Sequence, residues 1–276
     1  IVVYIDHVVR TLRADAIIRK LQDRQSRLPV DLERLASEIN YRRQDYERAF
    51  DLARPLAQTG EARHQRWAGQ VAMAMQRYDE AQQYLESAAN NSPQDPVAWT
   101  TLVRCLLLSD QPEQAEATMN EALEKVEPAS RLAVHAECLQ MMDKRDKAVT
   151  LVRESINSPD ASPTQLQTAA RFFANSPDTY DDAAPLLERF ASGELKARAN
   201  PDETRRWARR TLARILGQRD YAAHLRALKL LDENLSEAPD SVADRQLRAK
   251  LRFAGARTAE AREKAVADLL RLADQP

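Results

Sequence analysis

Arg205-Arg206-Trp207-Ala208-Arg209-Arg210, continued by Arg214, places five guanidinium groups and an indole within ten positions. Arg206, Arg210 and Arg214 recur at i, i+4 and i+8, the spacing of one stripe on a helix, and such a stripe can meet phosphate or an acidic protein surface. A solvated face paired with acids elsewhere in the chain accounts for the same residues, and the chain has those acids. Residues 61–194 carry 12 basic and 21 acidic side chains, and residues 195–276 carry 18 and 12. The chain is therefore expected to be electrically polarised along its length. The net charge of -1 speaks against a generic nucleic-acid binder.

No other residues assemble into a catalytic pattern. There is no Gly-rich phosphate loop, no His-Glu metal pair at helical spacing, and no Ser or Cys with a recognisable base in a motif. Acidic pairs such as Asp181-Asp182 and Asp232-Glu233 read as helix starts or solvated faces. Cys105 and Cys138 are too few for a disulfide framework and fall at equivalent places in consecutive repeats, as packing thiols would. His7, His64, His135 and His224 lie apart without a ligand pattern. The expectation is a non-enzymatic chain with no metal and no cofactor. No apolar run approaches the roughly 18 residues that a spanning helix needs.

The elements that would carry these side chains are helices. Only 5 glycines occur in 276 residues dense in Ala, Leu, Arg, Glu and Gln. A phrase returns along the chain as Tyr46-Glu47-Arg48-Ala49, Tyr78-Asp79-Glu80-Ala81, Gln114-Ala115, Lys147-Ala148 and Tyr180-Asp181-Asp182-Ala183. Its alanines lie 32, 34, 33 and 35 residues apart, a period that marks a helical solenoid. Proline punctuates the joints at Pro29, Pro93, Pro96, Pro128, Pro159, Pro163, Pro201 and Pro239, with Asp95 and Ser162 placed to cap the helices that follow. Segment 3–26 reads as an amphipathic helix that caps the array, with docking on a membrane surface as the alternative. A start at Ile1 without methionine suggests a piece of a longer protein.

Within residues 96–128, Trp99, Leu102 and Leu106 form one stripe and Ala115, Met119 and Ala122 another, so two helices must bury these faces against each other. The unit 62–95 supplies Gly69, Tyr78, Ala81, Leu85, Ala88 and Pro93, and Trp207 precedes Ala223 by the same sixteen residues that separate Trp99 from Ala115. In these positions the chain resembles the tetratricopeptide repeat family. The resemblance covers about residues 30–273 as units 30–61, 62–95, 96–128, 129–163, 164–203, 204–240 and 241–273. It implies an all-α, right-handed superhelix of about seven helix pairs occupying residues 30–276, behind an N-terminal helix within 1–29. Pro55 and Pro185 are expected to bend their helices, and Ser192–Ala199 to form a longer connection.

The resemblance also implies that the first helix of each pair lines a concave groove. Its register puts Arg34, Glu38, Arg63, Arg66, Trp67 and Gln70 on that face, then Thr101, Arg104 and Glu137, then Phe172, Arg205 and Arg209. An aromatic beside guanidinium groups can hold a peptide through apolar contact and charge-assisted bonds to carboxylates. The partner-binding set is thus Arg63, Arg66, Trp67, Gln70, Arg104, Phe172, Arg205 and Arg209, with Trp99 and Trp207 assigned to the core. The alternative for the set is that Trp67 packs against its neighbour and the arginines balance local acids. The clamp by which chaperone-binding members hold a C-terminal carboxylate is not matched, because Thr101, Ser130 and Val134 stand at its later positions. The expected function is a scaffold or adaptor binding a protein or peptide, an acidic one by the charge of the groove. The competing classes are a component of a self-assembling or membrane-associated complex and, less favoured, a nucleic-acid binder.

Overall fold

The computed structural model describes residues 29–273, apart from 159 and 198, so the 3–26 segment lies outside the described residues. All regular structure in the described residues is helical, and the chain divides into two compact units, residues 1–150 and 151–276.

The first unit holds α1 (Val30–Arg42), α2 (Tyr46–Ala57), α3 (Ala62–Ala74), α4 (Tyr78–Asn91), α5 (Pro96–Leu108), α6 (Pro112–Lys125), α7 (Pro128–Met141) and the start of α8 (Arg145–Asn157). Consecutive helices pack together from α1 through α7, and the first helices of successive pairs lie side by side, α3 on α5 and α5 on α7. The stripes expected from the sequence are the contact faces. Trp99, Leu102 and Leu106 from α5 and Ala115, Met119 and Ala122 from α6 are all buried in one core that runs from Ala49 to Cys138. The recurring alanines Ala49, Ala81, Ala115, Ala148 and Ala183 are each fully buried, which explains why nothing larger stands there. Gly69 belongs to the same packing, because a Cβ on it would stand 2.6 Å from Cγ of Leu85.

The period has a backbone cause. Gln44, Gln76, Asp110 and Asp143, each five residues before a buried alanine, have φ of 64°, 60°, 59° and 58°, the left-handed conformation that closes a helix end. In each case the following N–H reaches back to a carbonyl of the preceding helix: Asp45 to Asn40, Arg77 to Ala72, Gln111 to Leu106 and Lys144 to Leu139, at 2.9–3.0 Å. The same turn recurring between paired helices delivers the second helix in the same register each time.

The remaining helices are α9 (Pro163–Phe173), α10 (Tyr180–Ser192), α11 (Pro201–Leu216), α12 (Tyr221–Glu237), α13 (Val242–Gly255) and α14 (Ala259–Ala273), all in the second unit. Consecutive helices again pack together, and α11 lies beside α13. Helix starts follow the sequence signals: Pro96, Pro128, Pro163 and Pro201 are first helical residues, the Asp95 carboxylate accepts from the Val97 N–H at 2.9 Å, and Ser162 forms a capping box with Gln165. The helices containing Pro55 and Pro185 continue through them. The longer connection lies between Gly193, with φ of 82°, and Asn200, with φ of 47°.

The turns differ here. Among the described residues no left-handed residue separates α9 from α10 or α11 from α12. Instead a 3-10 turn at Pro177–Thr179 leads into α10, held by the buried Thr179 hydroxyl donating to the Phe173 carbonyl at 2.8 Å. Helix α11 has 16 residues against 13 in α5, and its buried face is Thr204, Ala208, Thr211, Leu212 and Ile215. Trp207, expected in the core, is therefore only half-buried, and Ala227 rather than Ala223 is the fully buried alanine of α12. The sixteen-residue interval fails as a ruler because Trp99 is fourth in its helix and Trp207 seventh.

Candidate protein-binding surface

In the first unit the sequence-derived residues have separate fates. Trp67, on α3, is 9% exposed, and its indole N–H donates to the Ser37 hydroxyl at 2.7 Å. Ser37 in turn donates to the Ala49 carbonyl, the Tyr41 ring lies edge-on to Trp67 at 5.2 Å, and the Arg34 guanidinium covers the indole at 4.7 Å. Trp67 thus locks α1 to α3. Arg34 also pairs with Glu38 at 3.0 Å. Arg66 is half-buried and binds the carboxylate of Asp95, the residue that caps α5. Arg63 is exposed and pairs with Glu61 at 2.7 Å, Arg104 is exposed and faces Glu137 at 3.6 Å, and Gln70 is half-buried. Thr101 is buried, its hydroxyl donating to the Val97 carbonyl at 2.6 Å. Exposed pairs of this kind contribute little to stability.

In the second unit most of the basic stripe is paired within the chain. Arg209, 13% exposed, binds Glu237 at 2.8 Å and Glu233 at 3.4 Å, and Arg205 lies 3.1 Å from Asp202 and 3.5 Å from Glu237. The paired guanidinium groups hold the Glu237 carboxyl below its ordinary range, with the Arg209 hydrogen bond the leading cause. Arg214 donates to the Ala174 carbonyl at 2.8 Å. Phe172 is half-buried edge-on to Phe173, ring centres 5.5 Å apart.

Arg210 belongs to a network that reading the stripe alone missed. Its Nε and Nη2 each donate to the carboxylate of Asp244 at 2.7 Å, and Asp244 is fully buried. The same carboxylate accepts from the Ser241 hydroxyl at 2.5 Å and the Asn234 amide at 3.0 Å. Burial pushes the Asp244 carboxyl up, but the bonds from Arg210, Ser241 and Asn234 outweigh it and hold the group below its ordinary range. Ser241-x-x-Asp244 is a legible helix-start signal, since the Ser241 hydroxyl accepts from the Asp244 N–H at the head of α13. The pairing with Arg210, 34 residues earlier, becomes visible only when α11 and α13 are seen side by side.

Two cations stay outside this pairing. Arg171, at the end of α9, lays its guanidinium 4.2 Å over the Trp207 ring. Arg206 is half-buried, and among the described residues neither it nor Arg171 has a carboxylate within ion-pair distance. Both line a cleft of about 600 Å³ with Trp207, Gln167, Asn200 and Glu203.

Cys105 and Cys138 are fully buried, and burial pushes their thiols up to about 11 and about 12. His64 and His224 are buried in packing positions, and burial lowers the basicity of His64 and half-buried His135. Among the described residues no group of three or more His, Cys, Asp or Glu could hold a metal, and no helix is long and apolar enough to cross a membrane.

Paired antiparallel helices with recurring buried alanines and first helices laid side by side define an α-helical repeat protein. Residues 72–138, from the end of α3 through most of α7, match the model of the tetratricopeptide repeat family. No curated protein matches the sequence. Among solved structures, the chain is similar to the yeast Tom70, with 16% identity over 95% of this chain and 58% of that one and a TM-score of 0.44. It is similar to the Cut9-Hcn1 hetero-tetramer of the APC/C at 12% identity, over 97% and 51% of the two chains, with a TM-score of 0.41. A human IFIT1 dimer with m7Gppp-AAAA gives 13% identity over 96% and 56%, with a TM-score of 0.38. The chain spans between 51% and 58% of the length of these three structures.

Proposed function

We propose that this chain is a non-enzymatic interaction scaffold that holds a peptide or a partner protein on the face formed by the first helices of its pairs. Tetratricopeptide repeats are protein-interaction modules, and residues 72–138 are such repeats. The observation that carries the finer reading is the side-by-side packing of first helices, α3, α5 and α7 in one unit and α11 and α13 in the other. That packing makes a continuous surface within each unit, with Arg63 and Arg104 on the first and Arg171, Arg206 and Trp207 on the second. Their weak or missing intramolecular pairing leaves these cations available to a carboxylate at small cost. Arg66 and Trp67 contribute by holding the wall in place, through Asp95 and Ser37.

Binding of a fluorescent peptide library to the intact chain tests this. Arg63→Gln with Arg104→Gln should weaken retained peptides by about threefold or more, while Lys147→Glu on the second helix α8 should not, and melting should stay unchanged in both. Loss of binding with Lys147→Glu alone, or with neither variant, would place the surface elsewhere.

A further inference from the structure

We propose that the cleft between α9, α11 and the start of α13 binds the acidic side chain of a peptide, held by Arg171 and Arg206 against the Trp207 ring. This rests on the scaffold reading and names the chemistry of its ligand in the second unit.

Of the arginines from 205 to 214, Arg205 and Arg209 are spent on Glu237, Arg210 on Asp244 and Arg214 on the Ala174 carbonyl. Arg206 alone of the five has no side-chain partner among the described residues, and it projects into the cleft. Arg171 reaches the same cleft from α9, stacked on Trp207. Stacking satisfies the face of a guanidinium and leaves its in-plane N–H groups free, which is the edge that grips a carboxylate in a fork. Arg206 is half-buried, so less water competes for a bond to it than on open surface, while Arg171 offers its edge from the exposed rim.

The rest of the cleft fits a peptide better than a polyanion. Arg210 is neutralised by Asp244, and Glu203, whose carboxylate accepts from the Asn200 amide at 3.3 Å, offsets one of the two remaining cations. The cleft therefore holds a single net positive charge, enough for one carboxylate and too little for a run of phosphates. One face of Trp207 is already covered by Arg171, which leaves at most one face on which a base could stack. Gln167 and Asn200 supply amide groups of the kind that pair with a peptide backbone. The cleft is also pre-shaped, because the Asp244 network fixes Arg210 beneath it before any ligand arrives.

The experiment measures retention of paired peptides by the intact chain. Each pair carries Glu or its isostere Gln at one position in an Ala/Ser background that also holds one apolar residue. The wild type should prefer the Glu member, and Arg206→Gln or Arg171→Gln should cut that preference about tenfold. Arg226→Gln, which removes a cation paired with Glu188 on another face, should leave it intact. Among the described residues Arg206 makes no side-chain bond, so Arg206→Gln should melt like the wild type. Equal retention of Glu and Gln peptides by the wild type, or a preference that survives both substitutions, overturns the proposal while leaving the scaffold reading standing. No retention of any peptide overturns both. Retention of a single-stranded oligonucleotide that Arg206→Gln abolishes would reassign the cleft to nucleic acid.

Discussion

Removing the carboxylate of Asp244 should cost the fold about 2–4 kcal/mol. The side chain is fully buried and accepts four hydrogen bonds, two from Arg210 and one each from Ser241 and Asn234. Breaking one side of a buried ion pair costs roughly 3–5 kcal/mol because the other charge is left uncompensated. Arg210 is 32% exposed, so water can take over part of its solvation and the figure moves down. The Asn234 amide keeps a second acceptor, the Arg206 carbonyl at 2.8 Å, and adds little to the loss. Urea unfolding of Asp244→Ala followed by circular dichroism measures the effect, and a loss under about 1 kcal/mol would refute the reasoning. Joint replacement Asp244→Leu with Arg210→Met should recover part of the loss, because it removes both charges together. A double variant weaker than Asp244→Ala would show that the pair was not the cause.

The same network sets a pH dependence. The folded Asp244 carboxyl titrates below its unfolded value, so its contribution is fully present above about pH 4 and is lost as pH falls through the folded value. Asp244→Asn should therefore flatten the acid limb of the stability profile relative to the wild type.

Trp99→Ala should cost about 3–5 kcal/mol, since the ring is 3% exposed and its N–H donates to the Pro93 carbonyl at 2.8 Å; chemical unfolding reads the loss. Gly69→Ala should destabilise by roughly 1–3 kcal/mol despite the better helix propensity of alanine, because Leu85, which the new methyl would strike, is itself fully buried; an unchanged melting temperature would contradict the close approach of α3 and α4.

Periodicity made the repeating part of the chain legible. The alanines, the Trp99 stripe, the proline starts and the caps at Asp95 and Ser162 are local signals, and the folded chain uses each where its spacing places it. The surface was less legible because helical register says which way a residue points but not what lies opposite. Trp67 and Arg66 fall on first helices as the register required, yet Ser37 and Asp95, about one repeat away, already hold them. Arg205 and Arg209 are likewise engaged by Glu237 on the following helix. Arg171 carried no sequence signal, because its role depends on Trp207, 36 positions later, leaving the core.

That departure has a physical origin. From α1 to α8 a left-handed residue five positions before each buried alanine keeps the second helix in constant register. Between α9 and α10 a 3-10 turn tied by Thr179 replaces it, and the connection from Gly193 to Asn200 then lengthens before α11 starts. Helix α11 consequently turns Ala208 and Leu212 inward where an even repeat would bury its tryptophan, and Trp207 moves to the wall beside Arg171. In a repeat array the conserved register spends bulky residues on stacking, so a side chain freed by a break in the register is one that the fold no longer needs for its core. At the place where the chain stops repeating evenly, the surface around Trp207 gains a half-exposed aromatic and two cations that have no acidic partner among the described residues.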